Sequence, residues 1–284
     1  MSRSPEDFYL DMIDRQGNPV EGVHYVANER FNRQVASSWN RIRPRSSQFP
    51  YHDRADDELV KQIEQSKNYI QERSDAAVGL EYAVMEGIHN GAWLGVEAAV
   101  TPASKYDDLV NHIDAVVTIQ EGDQSMYLGL DITSSDDYAV IERKLMQTTA
   151  NLKQGKLTTI KYYINDESGD KREISAPRVV IAVTSKATRE LVDGMVEHPQ
   201  NIPVHPIQLD ILDEALEQLS VGLEAVEKQK ATPEVQEAYR RLVDYLTGLK
   251  QKKSLQVVRR TYGQAPRETI SVILSYHRQY LGLS

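Results

Sequence analysis

The run Met126-Tyr-Leu-Gly-Leu-Asp-Ile-Thr133 alternates between apolar residues and other residues, and this period of two predicts a β-strand. Successive side chains of a strand point to opposite faces of a sheet. One face then carries Leu128, Leu130 and Ile132, and the other carries Gly129, Asp131 and Thr133. The sequence therefore predicts a carboxylate on the second face of a largely apolar strand.

A second run, residues 112–120, repeats this arrangement. Asp114 interrupts Ile113 and Ala115 and shares a face with Val116 and Thr118. If this strand pairs with the strand at 126–133, Asp114 and Asp131 lie on one face of the sheet.

The elements around these two runs predict an α/β fold. A helix begins at residue 74 or 75 and ends at Asn90-Gly91, and residues 94–100 form the first strand. After the strands at 112–120 and 126–133, the pattern predicts a helix over 137–154, strands over 157–164 and 179–183, and a helix over 185–197. We expect a mixed central sheet flanked by helices.

The chain divides into three parts. Residues 1–55 lack periodicity and are predicted to be an irregular, basic N-terminal arm, and residues 56–203 form the α/β core, which opens with a helix at 57–73. Residues 204–284 read as a helical region, with helices at 211–228, 233–253 and 267–281. The leucine stripe of the first of these offers a surface for a protein partner or for a second copy of the chain.

Composition excludes several classes of protein. With 0 Cys among 284 residues, the chain forms no disulfide, thiolate nucleophile, iron–sulfur cluster or cysteine zinc site. No P-loop, dinucleotide-binding glycine motif or nucleophile elbow occurs. No run of about 18 apolar residues occurs, so we expect no membrane span and a cytoplasmic location.

Charge is unevenly distributed along a chain whose formal net charge is −9. Residues 30–54 contain six arginines against Asp53 alone, and residues 250–260 contain three lysines and two arginines without an acid. Such segments either bind a phosphate backbone or form solvated surface, and the sequence leaves both interpretations open.

Three acidic residues stand where burial is costly. Asp114 and Asp131 lie in the predicted strands, and Glu81 lies at the edge of the apolar stripe of the helix that precedes them. Ionised carboxylates on a packed face repel one another unless a cation compensates, and Mg²⁺ favours such oxygen ligands. The alternative is that each acid is isolated and reaches water.

These segments resemble the PD-(D/E)XK nuclease-like superfamily over residues 74–183. The resemblance rests on Gly79-Leu-Glu81 in the helix, on Asn111-His-Ile-Asp114-Ala-Val-Val in the second strand and on Tyr127-Leu-Gly-Leu-Asp131-Ile-Thr133 in the third. It implies a restriction-endonuclease-like core in which Glu81, Asp114 and Asp131 bind Mg²⁺ or Mn²⁺, with the Ile132 carbonyl as a further ligand. Glu81 would complete the metal shell or position water.

One residue departs from the family pattern, because Thr133 stands where the family has lysine. That lysine activates water and stabilises charge on the phosphate, and a threonine hydroxyl supplies no positive charge. Lys144 in the following helix and Lys161 in the next strand are the candidate replacements, and Gln147 is a candidate polar neighbour of the metal.

The resemblance implies a metal-dependent nuclease acting on DNA or RNA, with DNA favoured. Two alternatives remain. One is a nuclease-like module that lost its lysine and binds nucleic acid without cutting it, and the other is a protein-assembly role through the C-terminal helices.

Overall fold

A computed structural model gives the structure of the protein and describes residues 43–66, 75–165, 168–254, 274, 278 and 281–283. The helices in these ranges are α1 (Arg54–Glu64), α2 (Asp75–His89), α3 (Lys105–Asn111), α4 (Tyr138–Lys153), α5 (Ser185–Glu197), α6 (Ile207–Lys228) and α7 (Pro233–Ser254). The strands are β1 (Ala98–Pro102), β2 (Ala115–Glu121), β3 (Gln124–Ser134), β4 (Thr158–Ile164), β5 (Lys171–Ala176) and β6 (Arg178–Val183). None of the helices in the described ranges is both long and apolar enough to span a membrane.

Four strands form one mixed sheet in the order β1-β2-β3-β6. The pairs β1–β2 and β2–β3 are antiparallel, and β6 runs parallel to β3. Strands β4 and β5 form a separate antiparallel hairpin. The prediction of an α/β fold with a mixed sheet flanked by helices is confirmed.

The two faces of the sheet are covered by different elements. The face that carries Val117, Leu128 and Leu130 belongs to the main apolar core, together with buried residues of α2, α5, α6 and α7. On the opposite face, Val116 packs with the β4–β5 hairpin. Val180 on that face packs with α4. The predicted alternation of β3 therefore places Asp131 on the side of the hairpin and α4.

Several predicted boundaries were wrong. The segment around Tyr106, between the first two predicted strands, is helix α3, and the strand predicted from residue 112 begins only at Ala115. His112 ends α3 in the left-handed conformation, with φ of 55°, which reverses the chain before β2. Residues 94–97 are not part of β1, because Gly95 has φ of +101° and turns the chain there.

The hairpin also differs from the prediction. A strand that the sequence did not predict, β5, follows β4 and pairs with it before the strand at 179–183 begins. Strand β5 has the sequence Lys171-Arg-Glu-Ile-Ser-Ala176, which is mostly exposed and lacks a strong apolar alternation.

The helical region shares its core with the sheet. Buried residues of α6, such as Leu212 and Leu219, belong to the main apolar cluster, so this part of the leucine stripe packs inside the protein. The side chain of Gln218 accepts a hydrogen bond from the Val180 amide at 2.8 Å and donates to the Val180 carbonyl at 2.6 Å, and Glu214 accepts from the Ala182 amide at 3.2 Å. Helix α6 thereby satisfies backbone groups at the outer edge of β6. Most of the helix predicted at 267–281 lies outside the described residues.

The described end of the N-terminal arm packs on the core. Arg43 is 3% exposed and Phe49 is 4% exposed. Phe49 contacts the ring of Tyr162 on β4 at a centroid distance of 5.0 Å. Arg43 is therefore not part of a solvated basic surface, and residues 1–42 lie outside the described part of the chain.

Candidate functional site

Asp114 lies just before β2, beside the stretch of β3 that carries Asp131. The Asp114 amide donates to the Leu130 carbonyl at 2.7 Å. The Asp114 Oδ2 atom accepts a hydrogen bond from the Ile132 amide at 2.6 Å. These two bonds fix the Asp114 side chain alongside the segment that carries Asp131.

The backbone of Ile132 faces Asp114. In a strand, the N–H and C=O of one residue point to the same side. Since the Ile132 amide donates to Asp114, the Ile132 carbonyl also lies on the Asp114 side of β3, beyond the start of β2. Two carboxylates and one carbonyl thus line the same short stretch of β3.

Two cations hold the carboxylate of Asp131. The Lys144 ammonium on α4 bonds to Oδ1, and the Arg178 guanidinium at the start of β6 bonds to Oδ2. Arg178 also donates to Gln147 Oε1 at 3.3 Å. Burial raises the pKa of Asp131, but the attraction of Lys144 and Arg178 outweighs burial and leaves the pKa below its usual value.

The carboxyl group of Asp114 experiences the opposite balance. Burial raises its pKa, and repulsion by Glu81, Asp108 and Asp131 raises it further, so that it lies well above the usual range. Attraction by Lys144 opposes this shift. Asp114 is therefore a buried carboxyl group at which additional positive charge is favourable.

Glu81 reaches the edge of this cluster and bonds to a different cation. Its Oε2 atom lies 3.1 Å from Arg43 Nη2, and Arg43 Nη1 lies 3.0 Å from Asp108. Within the residues that the structure describes, no three acidic or histidine side chains are grouped closely enough to hold a metal ion. The three predicted acids are therefore not grouped as one set of ligands: Glu81 bonds to Arg43 and Asp131 to Lys144 and Arg178, although Glu81 lies near enough to Asp114 to raise its pKa.

The donor set at Asp114 and Asp131 still suits a hard divalent cation. Mg²⁺ is usually held by one or two carboxylates, with water and substrate phosphate in the other positions. Asp114, Asp131 and the Ile132 carbonyl provide such oxygen atoms. The Lys144 ammonium bonds to Asp131 and is attracted by Asp114, so one cation is already accommodated beside the Asp131 carboxylate.

The structure separates the two candidate lysines. Lys144 bonds to Asp131. The Lys161 ammonium lies 2.6 Å from Asp56 Oδ2 on α1 and over the rings of Tyr106 and Tyr162. Lys161 therefore belongs to another cluster, and the interpretation of Lys161 as the replacement lysine does not fit its position.

Sequence reasoning missed Arg178. Its side chain is 2% exposed, and none of the described residues accepts a hydrogen bond from its buried Nε atom. The sequence feature that could have identified it is its position between Pro177 and the apolar run Val179-Val-Ile-Ala-Val183. Only the fold shows that this arginine lies beside Asp131, 47 residues earlier in the chain.

His112 lies near the same charges. Burial lowers its pKa, and so does the nearby Arg178, while Asp131 acts in the opposite direction. His112 ends α3 in the left-handed conformation, and the chain continues from it into the segment that carries Asp114.

The second basic segment is partly used inside the protein. Lys250 forms an ion pair with Asp213, and Lys253 donates to Gln208 at 2.6 Å. Both acceptors are on α6, so these lysines tie α7 to α6. Residues 255–260 lie outside the described ranges.

Comparison of the chain with protein-family models, with curated proteins and with solved structures finds no match.

Proposed function

We propose that the chain is a divalent-metal-dependent nuclease that hydrolyses phosphodiester bonds of DNA or RNA, with DNA favoured. The observation that carries the proposal is the contact between Lys144 and Asp131. Thr133 leaves the strand motif without its lysine, and helix α4 brings a lysine to the same carboxylate.

The order of elements supports a restriction-endonuclease-like core. Helix α2 carries Glu81 and is followed by the antiparallel strands β1, β2 and β3. Helix α4 then leads, through the β4–β5 hairpin, to β6 parallel to β3. Helix α3 and strand β5 are additions to the order of elements that the sequence predicts.

The residues that would hold a metal are Asp114, Asp131 and the carbonyl of Ile132. A Mg²⁺ or Mn²⁺ ion bound there would supply Lewis-acid polarisation of a phosphate oxygen. Glu81 forms an ion pair with Arg43, and its negative charge raises the pKa of Asp114.

Lys144 provides the positive charge that Thr133 lacks. Its side chain is 25% exposed, whereas that of Asp131 is 1% exposed, so Lys144 is the more accessible member of the pair. A lysine in this position donates hydrogen bonds to a phosphate or to the attacking water and stabilises the charge that develops on the phosphate. Arg178 acts on Asp131, which it orients and keeps ionised.

A cleavage assay tests the proposal. Labelled single-stranded and double-stranded DNA and RNA are incubated with Mg²⁺, with Mn²⁺ or with a chelator. We expect metal-dependent cleavage that is lost in Asp114→Asn and retained in Asp56→Asn, which alters a carboxylate that also bonds to a lysine but lies in the Lys161 cluster. Cleavage that persists with chelator, or in Asp114→Asn, would contradict the assignment.

A second function is favoured by one observation, namely that Asp131 and Glu81 are already neutralised by basic side chains of the chain itself. Such a cluster is compatible with a nuclease-like module that binds nucleic acid without cutting it. The same assay then shows binding without product, with an affinity that falls steeply as salt concentration rises.

A further inference from the structure

The two cations on Asp131 differ in their access to solvent. The side chain of Arg178 is 2% exposed, and it is held on both sides by Asp131 and Gln147. The side chain of Lys144 is 25% exposed, and Asp131 is its one ion-pair partner within the described residues. Arg178 is therefore the enclosed partner of Asp131, and Lys144 is the partner whose side chain reaches solvent.

Lys144 also occupies the region in which a metal would bind. Its ammonium bonds to Asp131 and is attracted by Asp114. These are the two acids whose oxygen atoms suit a divalent cation. Two cations a few ångströms apart repel each other, so a divalent ion and a Lys144 ammonium bonded to Asp131 compete.

Because the two cations compete, we propose that Lys144 is an exchangeable counter-ion of the site; this inference rests on the proposed function. A divalent ion displaces its ammonium from Asp131, and the freed ammonium then binds a backbone phosphate of the nucleic acid. Arg178 remains on the second oxygen of Asp131 and keeps that side chain in place during the exchange.

Such an exchange couples the binding of metal to the binding of nucleic acid. With metal alone, the displaced ammonium loses a partner, and this lowers metal affinity. With nucleic acid present, a phosphate replaces that partner. Thermodynamic linkage requires each ligand to raise the affinity for the other by the same factor, and we expect a factor of at least about five.

The test measures Mn²⁺ affinity of the full chain by electron paramagnetic resonance, with and without a phosphorothioate DNA oligonucleotide that resists hydrolysis. Lys144→Met removes the competing ammonium and leaves Arg178 to neutralise Asp131. Lys161→Met is the matched control, because Lys161 bonds to Asp56 outside the site. Asp131→Asn identifies the Mn²⁺ that binds at this site.

We expect Lys144→Met to bind Mn²⁺ more tightly than wild type when no DNA is present, and to lose most of the enhancement by DNA. Lys161→Met should behave as wild type. If Mn²⁺ binds in a manner that depends on Asp131, but with equal affinity and equal DNA enhancement in wild type and Lys144→Met, the exchange is refuted and the proposed function stands. If no Mn²⁺ binding depends on Asp131, the proposed function fails, and the exchange fails with it.

Discussion

Removal of the Arg178 guanidinium is expected to destabilise the protein through Asp131. Both side chains are almost completely buried, and Arg178 bonds directly to Asp131. Removing one partner of a buried ion pair commonly costs about 3–5 kcal/mol, because the other charge stays buried. Since Lys144 still bonds to Asp131, we expect Arg178→Met to lower the free energy of unfolding by about 3 kcal/mol at pH 7, near the lower end of that range.

The same substitution should change the pH dependence of stability. The pKa of Asp131 in the folded protein lies below its usual value, so its ionisation stabilises the fold above about pH 4, and this contribution is lost as pH falls through the folded pKa. Loss of Arg178 moves the folded pKa upward. The difference in stability between wild type and Arg178→Met should therefore be largest at neutral pH and narrow in acid.

Urea unfolding followed by circular dichroism measures both effects. A double-mutant cycle with Asp131→Asn separates the ion pair from the lost packing of the arginine. We expect the double variant to be less destabilised than the sum of the two single variants by about 2 kcal/mol. Additive single effects, or an Arg178→Met protein whose stability matches that of wild type at pH 7, would refute this account of the pair.

Three further predictions concern the scaffold. Burial lowers the pKa of His205 to about 4, so its neutral form stabilises the fold fully above about pH 6.5, and this contribution declines toward pH 4. His205→Gln should therefore reduce the change in unfolding free energy between these two pH values by about 3 kcal/mol, and an unchanged pH dependence would contradict the lowered pKa. Gln218→Leu should lower the free energy of unfolding by about 2 kcal/mol and speed hydrogen exchange at the Val180 amide, because both backbone groups of Val180 lose their partner. An unchanged exchange rate would show that α6 does not protect this edge of the sheet. Gly87→Ala should destabilise by about 1–3 kcal/mol and alter tryptophan fluorescence, because a Cβ atom at this position would lie 2.3 Å from the Trp93 ring; wild-type stability would contradict this close packing.

Local patterns in the sequence predicted much of the sheet and some of the site. The alternation of β3 correctly placed Leu128 and Leu130 in the main core and Asp131 on the opposite face. Helix α5 was predicted with the boundaries that it has, Ser185–Glu197, and the His198-Pro199 pair marked its end. Such features depend on neighbours in the sequence.

Features that depend on distant partners were not predicted. Helix α3 has few apolar residues, and it is anchored by the buried carboxylate of Asp107, which accepts hydrogen bonds from the amides of Lys161 and Tyr162 at 2.7 and 3.0 Å. Strand β5 is mostly exposed, so its pattern is weak, and its pairing with β4 defines it.

The charged site shows the same limitation. The sequence offered both Lys144 and Lys161 and favoured Lys161, because it lies inside a predicted strand. Their partners, Asp131 and Asp56, are set by the packing of α4 and α1. The arginine on Asp131 comes from the head of β6, which the parallel pairing with β3 brings alongside. A pattern read along the chain carries no information on such contacts.

The most direct test of the central claim compares Lys144→Met with Lys161→Met in single-turnover cleavage of labelled DNA with Mg²⁺. Both substitutions remove one lysine that is bonded to an aspartate, and only Lys144 contacts Asp131. The account predicts that Lys144→Met slows cleavage by about a hundredfold or more, as loss of one group that stabilises transition-state charge does, while Lys161→Met remains close to wild type. Cleavage by Lys144→Met at the wild-type rate would contradict the claim that this helix lysine replaces the one missing at Thr133.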